Sequence, residues 1–355
     1  MSVASRYINR ELAGIFAVTL VMLLLVGVGG RFIGYLQEAA MGKFTGTTVL
    51  TIIGLRMPEF VQLTAPFAIY VAILLTLGRL HAEQEMVVLQ GAGTSTVKLL
   101  RWISLSLLSV VSVVALLSWQ FTPLSERVLA DFMAEQRAQT EFETVNPGIF
   151  HTYDFGRRVT YSQGMSDDRR VLQGVFIAQQ LEDGRQINIW AESGRQRLDP
   201  ESGSHFLILS NGRRYEGTPG AADFRIMEFS ELSQRLETSK PRSGRLDVEA
   251  TPSAQLGNDL DARAEWHWRL AQPLFALIGG LLAVGISRVK PRQGRFARVV
   301  PGMLLMFGYY LALLVNRNAI VEGQLPQQMG LWMVHGSFFG VALFFLNRLA
   351  KPVST

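Results

Sequence analysis

Three groups of residues in this 355-residue sequence have types and spacings that could do chemistry. Arg31, Tyr35 and Glu38 recur at i, i+4 and i+7, which lines them along one stripe of a helix, with Phe32 beside Arg31 and Lys43 a few residues further on. The planar fork of an arginine suits two phosphate oxygens, and at the end of an apolar run such a cation sits at headgroup depth. Arg56 and Glu59 flank Pro58 inside a second apolar run, where ionisable groups point to function or to each other. The third group is the segment Gly78-Arg-Leu-His-Ala-Glu-Gln-Glu-Met-Val-Val-Leu-Gln-Gly-Ala-Gly93. It starts polar, continues as a short amphipathic helix with Met86, Val87 and Leu89, and closes on glycines, a pattern suited to a partner's groove. Each group also has a plainer reading. Arg31 can be an interfacial cation that snorkels, Arg56–Glu59 an intrahelical pair beside a proline kink, and the third segment a helix lying on a membrane surface.

Covalent chemistry finds little support. No G-x-x-x-x-G-K-[ST] cradle for nucleotide phosphates occurs, the five histidines are scattered without an H-E-x-x-H, and no G-x-S-x-G elbow is present. Ser95-Thr-Val-Lys98 has the S-x-x-K spacing of some acylating enzymes but lacks their companion motifs. With no cysteine, disulfides, zinc–thiolate sites and iron–sulfur clusters are excluded. The expectation is a non-catalytic chain that needs no cofactor or metal of its own.

The elements that must position these residues are apolar helices. Six runs are long enough to span a bilayer: Leu12–Gly30, Val49–Leu77, Trp102–Phe121, Leu270–Ser287, Val299–Asn316 and Met329–Leu346. The second exceeds one bilayer thickness, so it must tilt or project. Gly27, Gly30 and Gly34 recur at helical spacing along the first, and Gly30-x-x-x-Gly34 allows another helix to approach closely. The amino terminus imitates a signal peptide, but Arg31 directly follows the apolar run, so it reads as a retained helix.

Charge sets the orientation. Between Pro123 and Arg263 lie 17 Lys and Arg against 22 Asp and Glu, so that the rest of a chain of net charge +5 carries the basic excess. The excess lies in short segments between apolar runs, a mark of topology rather than of nucleic-acid binding. One set of loops holds Arg6, Arg10, Arg79, Lys98, Arg101, the Arg288–Arg298 cluster, Arg348 and Lys351; the other holds only Arg31, Lys43 and Arg317. The positive-inside rule then places both termini in the cytoplasm and the middle segment outside.

The middle segment changes period. Val171–Ala178, Gln186–Ala191, His205–Ser210 and Asp223–Phe229 read as short strands, separated by turn signals at Glu182-Asp-Gly184, Asp199–Gly203 and Asn211-Gly212. Pro123–Glu143 reads as a helix leaving the membrane, and Glu237–Asp261, with Pro241 and Pro252, as a polar linker back. The expected fold is an α-helical polytopic membrane protein, six transmembrane helices split 3+3, with an inserted extracytoplasmic β-jelly-roll-like domain. Expected divisions are residues 1–122, 123–262 and 263–355.

The Gly78–Gly93 segment resembles the coupling-helix segment of the lipopolysaccharide export permeases. Arg6-Tyr7 through Arg10-Glu11, Arg213-Arg-Tyr-Glu-Gly-Thr with Asp223-Phe-Arg-Ile, and Lys290-Pro-Arg-Gln-Gly-Arg295 are similar to that family too, in the same order along the chain. Within the family, Glu83-Gln-Glu-Met-Val-Val-Leu, Leu55-Arg-Met-Pro-Glu59 and Arg31-Phe-Ile-Gly-Tyr-Leu-Gln lie nearer the LptF branch than the LptG branch. The resemblance implies a bacterial inner-membrane permease that pairs with an LptG-like sister permease on an LptB-like ATPase homodimer. It also implies that lipopolysaccharide passes to an LptC-like periplasmic bridge protein, and that a coupling helix lies near residues 79–93. It assigns Arg31, with Phe32, Tyr35 and Lys43 nearby, to the lipid A phosphates. It assigns Glu85, with Glu83 and Met86, to the ATPase contact. Gly34 departs from the pattern, since family members often carry a second basic residue there. A scaffold that anchors the β domain without moving substrate is the alternative, and a hydrolase using Ser95 and Lys98 a remoter one.

Overall fold

Lipid offers backbone N–H and C=O groups no partner, so long apolar runs satisfy them within helices. The computed structural model describes residues 3–40, 46–138, 147–153, 157–166, 171–181, 184–198, 205–218, 220, 225–235, 245–288, 298–325 and 329–350. The helices are α1 (Val3–Ala40), α2 (Gly46–Ala82), α3 (Glu85–Gly91), α4 (Thr96–Leu116), α5 (Thr122–Ala138), α6 (Arg245–Ala250), α7 (Leu260–Ile286), α8 (Val299–Val321) and α9 (Trp332–Ala350). A π turn, Leu117–Phe121, joins α4 to α5 without a break. Among the described residues, five helical stretches are long and apolar enough to cross a membrane: α1, α2, Thr96–Met133, α7 and α8. The sixth expected span forms α9, 19 residues long but outside that set; His335, Asn347 and Arg348 dilute its apolar run.

The chain divides into two compact units. One comprises Met1–Gln37, Thr45–Ala130 and Ser243–Thr355, the other Glu38–Phe44 and Asp131–Arg242.

In the helical unit the core centres on α7, which packs against α2, α4, α8 and α9. Its small residues permit this: a Cβ at Gly279 would lie 2.7 Å from Met306 Cε, and one at Gly280 would lie 2.4 Å from Leu107 Cδ1. Pro273 has no N–H to give the carbonyl of Arg269 one turn earlier, and Ser118 Oγ donates to that oxygen instead at 2.9 Å. Tyr70 donates to the carbonyl of Gly302 at 2.7 Å, tying α2 to α8. The stretch expected as a plain linker contains helix α6, a 3-10 turn at Ser253–Gln255 and the capping residue Asp259, whose carboxylate accepts from Ala262 N. Polar composition did suggest solvent there, but Ser253 donates to Trp119 O at 2.9 Å and fixes the segment on the helices.

The second unit carries six strands: β1 (His151–Tyr153), β2 (Arg158–Met165), β3 (Val171–Gln180), β4 (Gln186–Leu198), β5 (His205–Gly217) and β6 (Arg225–Arg235). They pair in consecutive order, each antiparallel to the next. The inserted β unit is thus present as a meander, and the Greek-key crossovers of a jelly roll do not occur among its described strands. Alternation buries one face, where Leu172, Val175, Ile177, Ile187, Ile189, Ala191, Leu207 and Leu209 form a core. The turn expected at Asn211-Gly212 is instead a kink within β5. The register steps from Ser193↔Ser210 to Ala191↔Gly212, with Asn211 left-handed at φ 49° between them. Gly212 is required there, because a Cβ would fall 2.3 Å from Trp190 O. The other two expected turns lie largely outside the described residues, as does the first part of the strand expected at Asp223.

Candidate functional site

At the end of the helical unit away from α3, Arg31 is half exposed on α1. Its Nη2 lies 3.9 Å from Glu59 Oε1 on α2, and its guanidinium sits 5.5 Å from the centre of the Phe60 ring. The other oxygen of Glu59 accepts from Arg56 Nη1 at 2.9 Å, and the same nitrogen reaches Glu126 Oε1 of α5 at 3.3 Å. The Arg56–Glu59 pair is therefore intrahelical, as the plainer reading has it, and it also links three helices. Phe32 and Tyr35 are half-buried on α1, and Lys43 lies outside the described residues. A Cβ added at Gly27, Gly30 or Gly34 would meet no other described part of the chain within 4 Å, so this small-residue face is open here.

A second charged cluster at the same end involves residues that the sequence reading used only for topology or passed over. Glu265 accepts from Arg269 Nε at 2.9 Å and from Arg317 Nη2 at 2.7 Å; Arg317 also reaches Glu249 Oε1 at 3.3 Å. Arg269 donates further to Ser253 Oγ and to the carbonyls of Val248 and Glu249, and Arg317 packs over the Trp268 ring at 4.8 Å. The side chains of Glu265, Arg269 and Arg317 are 7%, 2% and 8% exposed, so this cluster is committed to structure. The signal in the sequence was the i, i+4 spacing of Glu265 and Arg269 at the start of an apolar helix.

At the α3 end a single guanidinium gathers four side chains. Arg79 donates to both oxygens of Glu11 at 2.6 Å, to Tyr7 Oη at 2.6 Å, to Glu83 at 2.5 Å and to Glu85 at 3.1 Å. Gln84 turns the chain into α3 with a left-handed φ of 60°. Glu83 and Glu85 remain accessible at the side-chain level, 51% and 38% exposed. Met86 is not on the surface: it is 2% exposed and belongs to the core, so it anchors α3, while Val87 and Val88 face outward. The S-x-x-K match resolves as a helix cap, because Ser95 Oγ accepts from Lys98 N at 3.2 Å and starts α4.

In the β unit the charges pair across strands. Exposed Arg213 meets Glu228 at 2.8 Å, which raises its guanidinium pKa.

The arrangement suits anion binding by exchange more than bond making. Arg56, Arg269 and Arg317 are held by short hydrogen bonds and largely buried. Arg31 is the exception in this charged layer: half in solvent, with a carboxylate at the limit of pairing distance whose other oxygen is already engaged. An incoming phosphate can take that guanidinium at small cost, since exposed pairs contribute about 0–1 kcal/mol.

Comparison with known proteins follows the whole chain rather than one site. The family model described as lipopolysaccharide export system permease LptF/LptG matches residues 6–348. The lipopolysaccharide export system permease protein LptF of Escherichia coli (strain K12) is 28% identical over 342 residues, which cover 95% of this chain and 93% of that protein. The corresponding LptG of the same organism is 22% identical over 370 residues, 98% of each chain. LptG of Haemophilus influenzae is 24% identical over 166 residues, 46% of each.

Proposed function

We propose how this chain, which belongs to the lipopolysaccharide export system permease LptF/LptG family, divides its work among its parts. It is a multi-pass inner-membrane permease subunit of lipopolysaccharide transport, of the LptF type. In our reading both termini and α3 face the cytoplasm, where the basic loops lie, and the β unit faces the periplasm. The chain pairs with an LptG-like sister permease and sits on an LptB-like ATPase homodimer, which hydrolyses the ATP. Glu83 and Glu85 meet that ATPase. Lipopolysaccharide leaves the outer leaflet along α1 and passes to an LptC-like bridge protein by way of the β unit.

The observation that carries the substrate part of this reading is the loosely held Arg31, half exposed and 3.9 Å from Glu59. A phosphorylated glycolipid keeps its headgroup near water while its acyl chains enter an apolar space. A guanidinium at the far end of α1 meets both needs, with Val18, Met22, Leu25, Val26 and Ile33 exposed along the same helix. Phosphate replaces Glu59 on Arg31, Arg56 keeps hold of Glu59, and the exchange reverses when the lipid is released. Phe32 and Tyr35 give the sugar–acyl boundary an amphipathic wall, and Lys43 is a second cation for the headgroup. Gly27, Gly30 and Gly34 leave room for a helix of the sister permease.

Reconstitution tests this. The chain, co-expressed with a sister permease and the ATPase, should purify as one complex and release lipopolysaccharide from proteoliposomes only when ATP is hydrolysed. A complex that assembles and hydrolyses ATP but releases no lipopolysaccharide would favour the scaffold.

A further inference from the structure

α1 is anchored at one end. Its buried residues are Ser5, Ile8 and Leu12, and only 6% of its most apolar stretch is covered by the rest of the described chain. Two polar contacts complete the anchor. Asn9 donates to Trp102 O at 2.7 Å and accepts from Ser106 Oγ at 2.5 Å, which fixes the helix to α4. Glu11 receives two hydrogen bonds from Arg79, and Tyr7 receives one as its ring packs under the same guanidinium at 5.8 Å.

The second contact is shared. All three nitrogens of Arg79 are engaged, and Nη1 is divided between Glu83 and Glu85, the carboxylates that open the α3 segment. Three carboxylates face one guanidinium, so the cluster carries an excess of negative charge and accepts a further cation readily. A basic group approaching Glu83 and Glu85 would draw them off Arg79, whose fork would then belong to Glu11 and Tyr7 alone. Withdrawal of that group would divide it again. The acceptors use separate N–H groups, so the link is electrostatic: the positive charge that Glu83 and Glu85 share at α3 is charge that holds Glu11 at the foot of α1 less firmly. From Glu11 the helix runs without proline to Arg31, about 30 Å away, so a small tilt at the foot becomes a displacement of ångströms there.

We propose that Arg79, Glu11 and Tyr7 are positioning residues that transmit events at α3 to α1 and so set the placement of Arg31 during transport. This rests on the transport reading above. Glu11 and Tyr7 touch neither substrate nor ATPase in it; they act through Arg79.

The test uses the full complex with its sister permease and ATPase in proteoliposomes. The chain has no cysteine, so Val26→Cys on α1 and Leu105→Cys on α4, both exposed, accept one spin label each in complexes whose partner chains carry no reactive thiol. Wild type should release lipopolysaccharide with ATP and show a nucleotide-dependent change in the distance between the labels. Glu11→Gln should assemble and hydrolyse ATP, release about fivefold less lipopolysaccharide per ATP, and lose the distance change. Glu11→Asp, which keeps the carboxylate facing Arg79, should retain at least half of the release that Glu11→Gln loses. Should Glu11→Gln fail to assemble, Tyr7→Phe, which removes one hydrogen bond, is read in its place with the same expectation in smaller measure. Wild-type release per ATP and an unchanged distance response in the single variant would overturn the linkage. A wild-type complex without ATP-driven release would instead overturn the transport reading.

Discussion

Arg31 and Glu265 show how environment assigns opposite tasks to similar ion pairs. Arg31 shares a partly buried carboxylate at 3.9 Å whose other oxygen Arg56 holds, so its charge is available; Glu265 is enclosed between Arg269 and Arg317, so its charge is spent. Charge-assisted hydrogen bonds contribute about 1.5–3 kcal/mol each, less where water competes, so Arg31→Ala should weaken lipopolysaccharide capture by roughly tenfold. Arg31→Glu should weaken it further, because repulsion from the phosphate adds to the lost bond. Arg31→Lys should fall between wild type and alanine, keeping the charge without the fork. Equal crosslinking of lipid in all three variants would make Arg31 an interfacial anchor only. The same logic predicts that Glu265→Ala is costly, since it leaves two buried guanidinium groups short of a counter-ion. A loss of about 3–5 kcal/mol is expected, seen as a lower unfolding temperature of the purified complex. Glu249→Ala should cost less, because that carboxylate is 31% exposed and lies 3.3 Å from Arg317, where water can take its place.

At the scale of elements, α3 is seven residues long and too short to be stable alone, so it depends on what it docks against. Met86 supplies that docking, and Met86→Ala should cost about 2–5 kcal/mol of local packing. The expected result is weaker association with the ATPase although Glu83 and Glu85 are intact; unchanged association would mean that Arg79 alone positions the segment. The placement of Met86 also shows what the sequence could reveal. Periodicity marked Met86, Val87 and Leu89 as apolar positions on a short helix but could not say which face turns inward, because seven residues define both faces equally well. The apolar runs and the strands from Val171 onward were legible because each repeats one physical period several times. The Arg79 cluster was not, since Glu11 and Arg79 are 68 positions apart and nothing local connects them. Helix α6 was hidden by prolines and charge that do mark a linker when no neighbouring polar group receives them. Asn211-Gly212 carried a true left-handed signal, and the chain used it for a kink within a strand rather than for a reversal.

For the whole molecule, the two units follow from two different solvents. One unit satisfies its backbone within helices and buries small residues at their crossings; the other closes a ladder of antiparallel hydrogen bonds over a core on one face. We propose that residues 131–242 therefore form a separable domain, and the isolated segment should give a β-rich circular-dichroism spectrum; a largely helical one would refute this. We propose that in transport the helical unit holds the lipid and the β unit receives it, which makes the place where lipopolysaccharide first lies the decisive point. A photoreactive residue at Phe32, beside Arg31, should crosslink lipopolysaccharide in the assembled complex. The same group at Val97, exposed at the α3 end, should not. ATP hydrolysis should reduce the Phe32 adduct as lipid moves on. Crosslinking from Val97 but not from Phe32, or an adduct at Phe32 that ATP leaves unchanged, would contradict the claim that this chain carries lipopolysaccharide along α1.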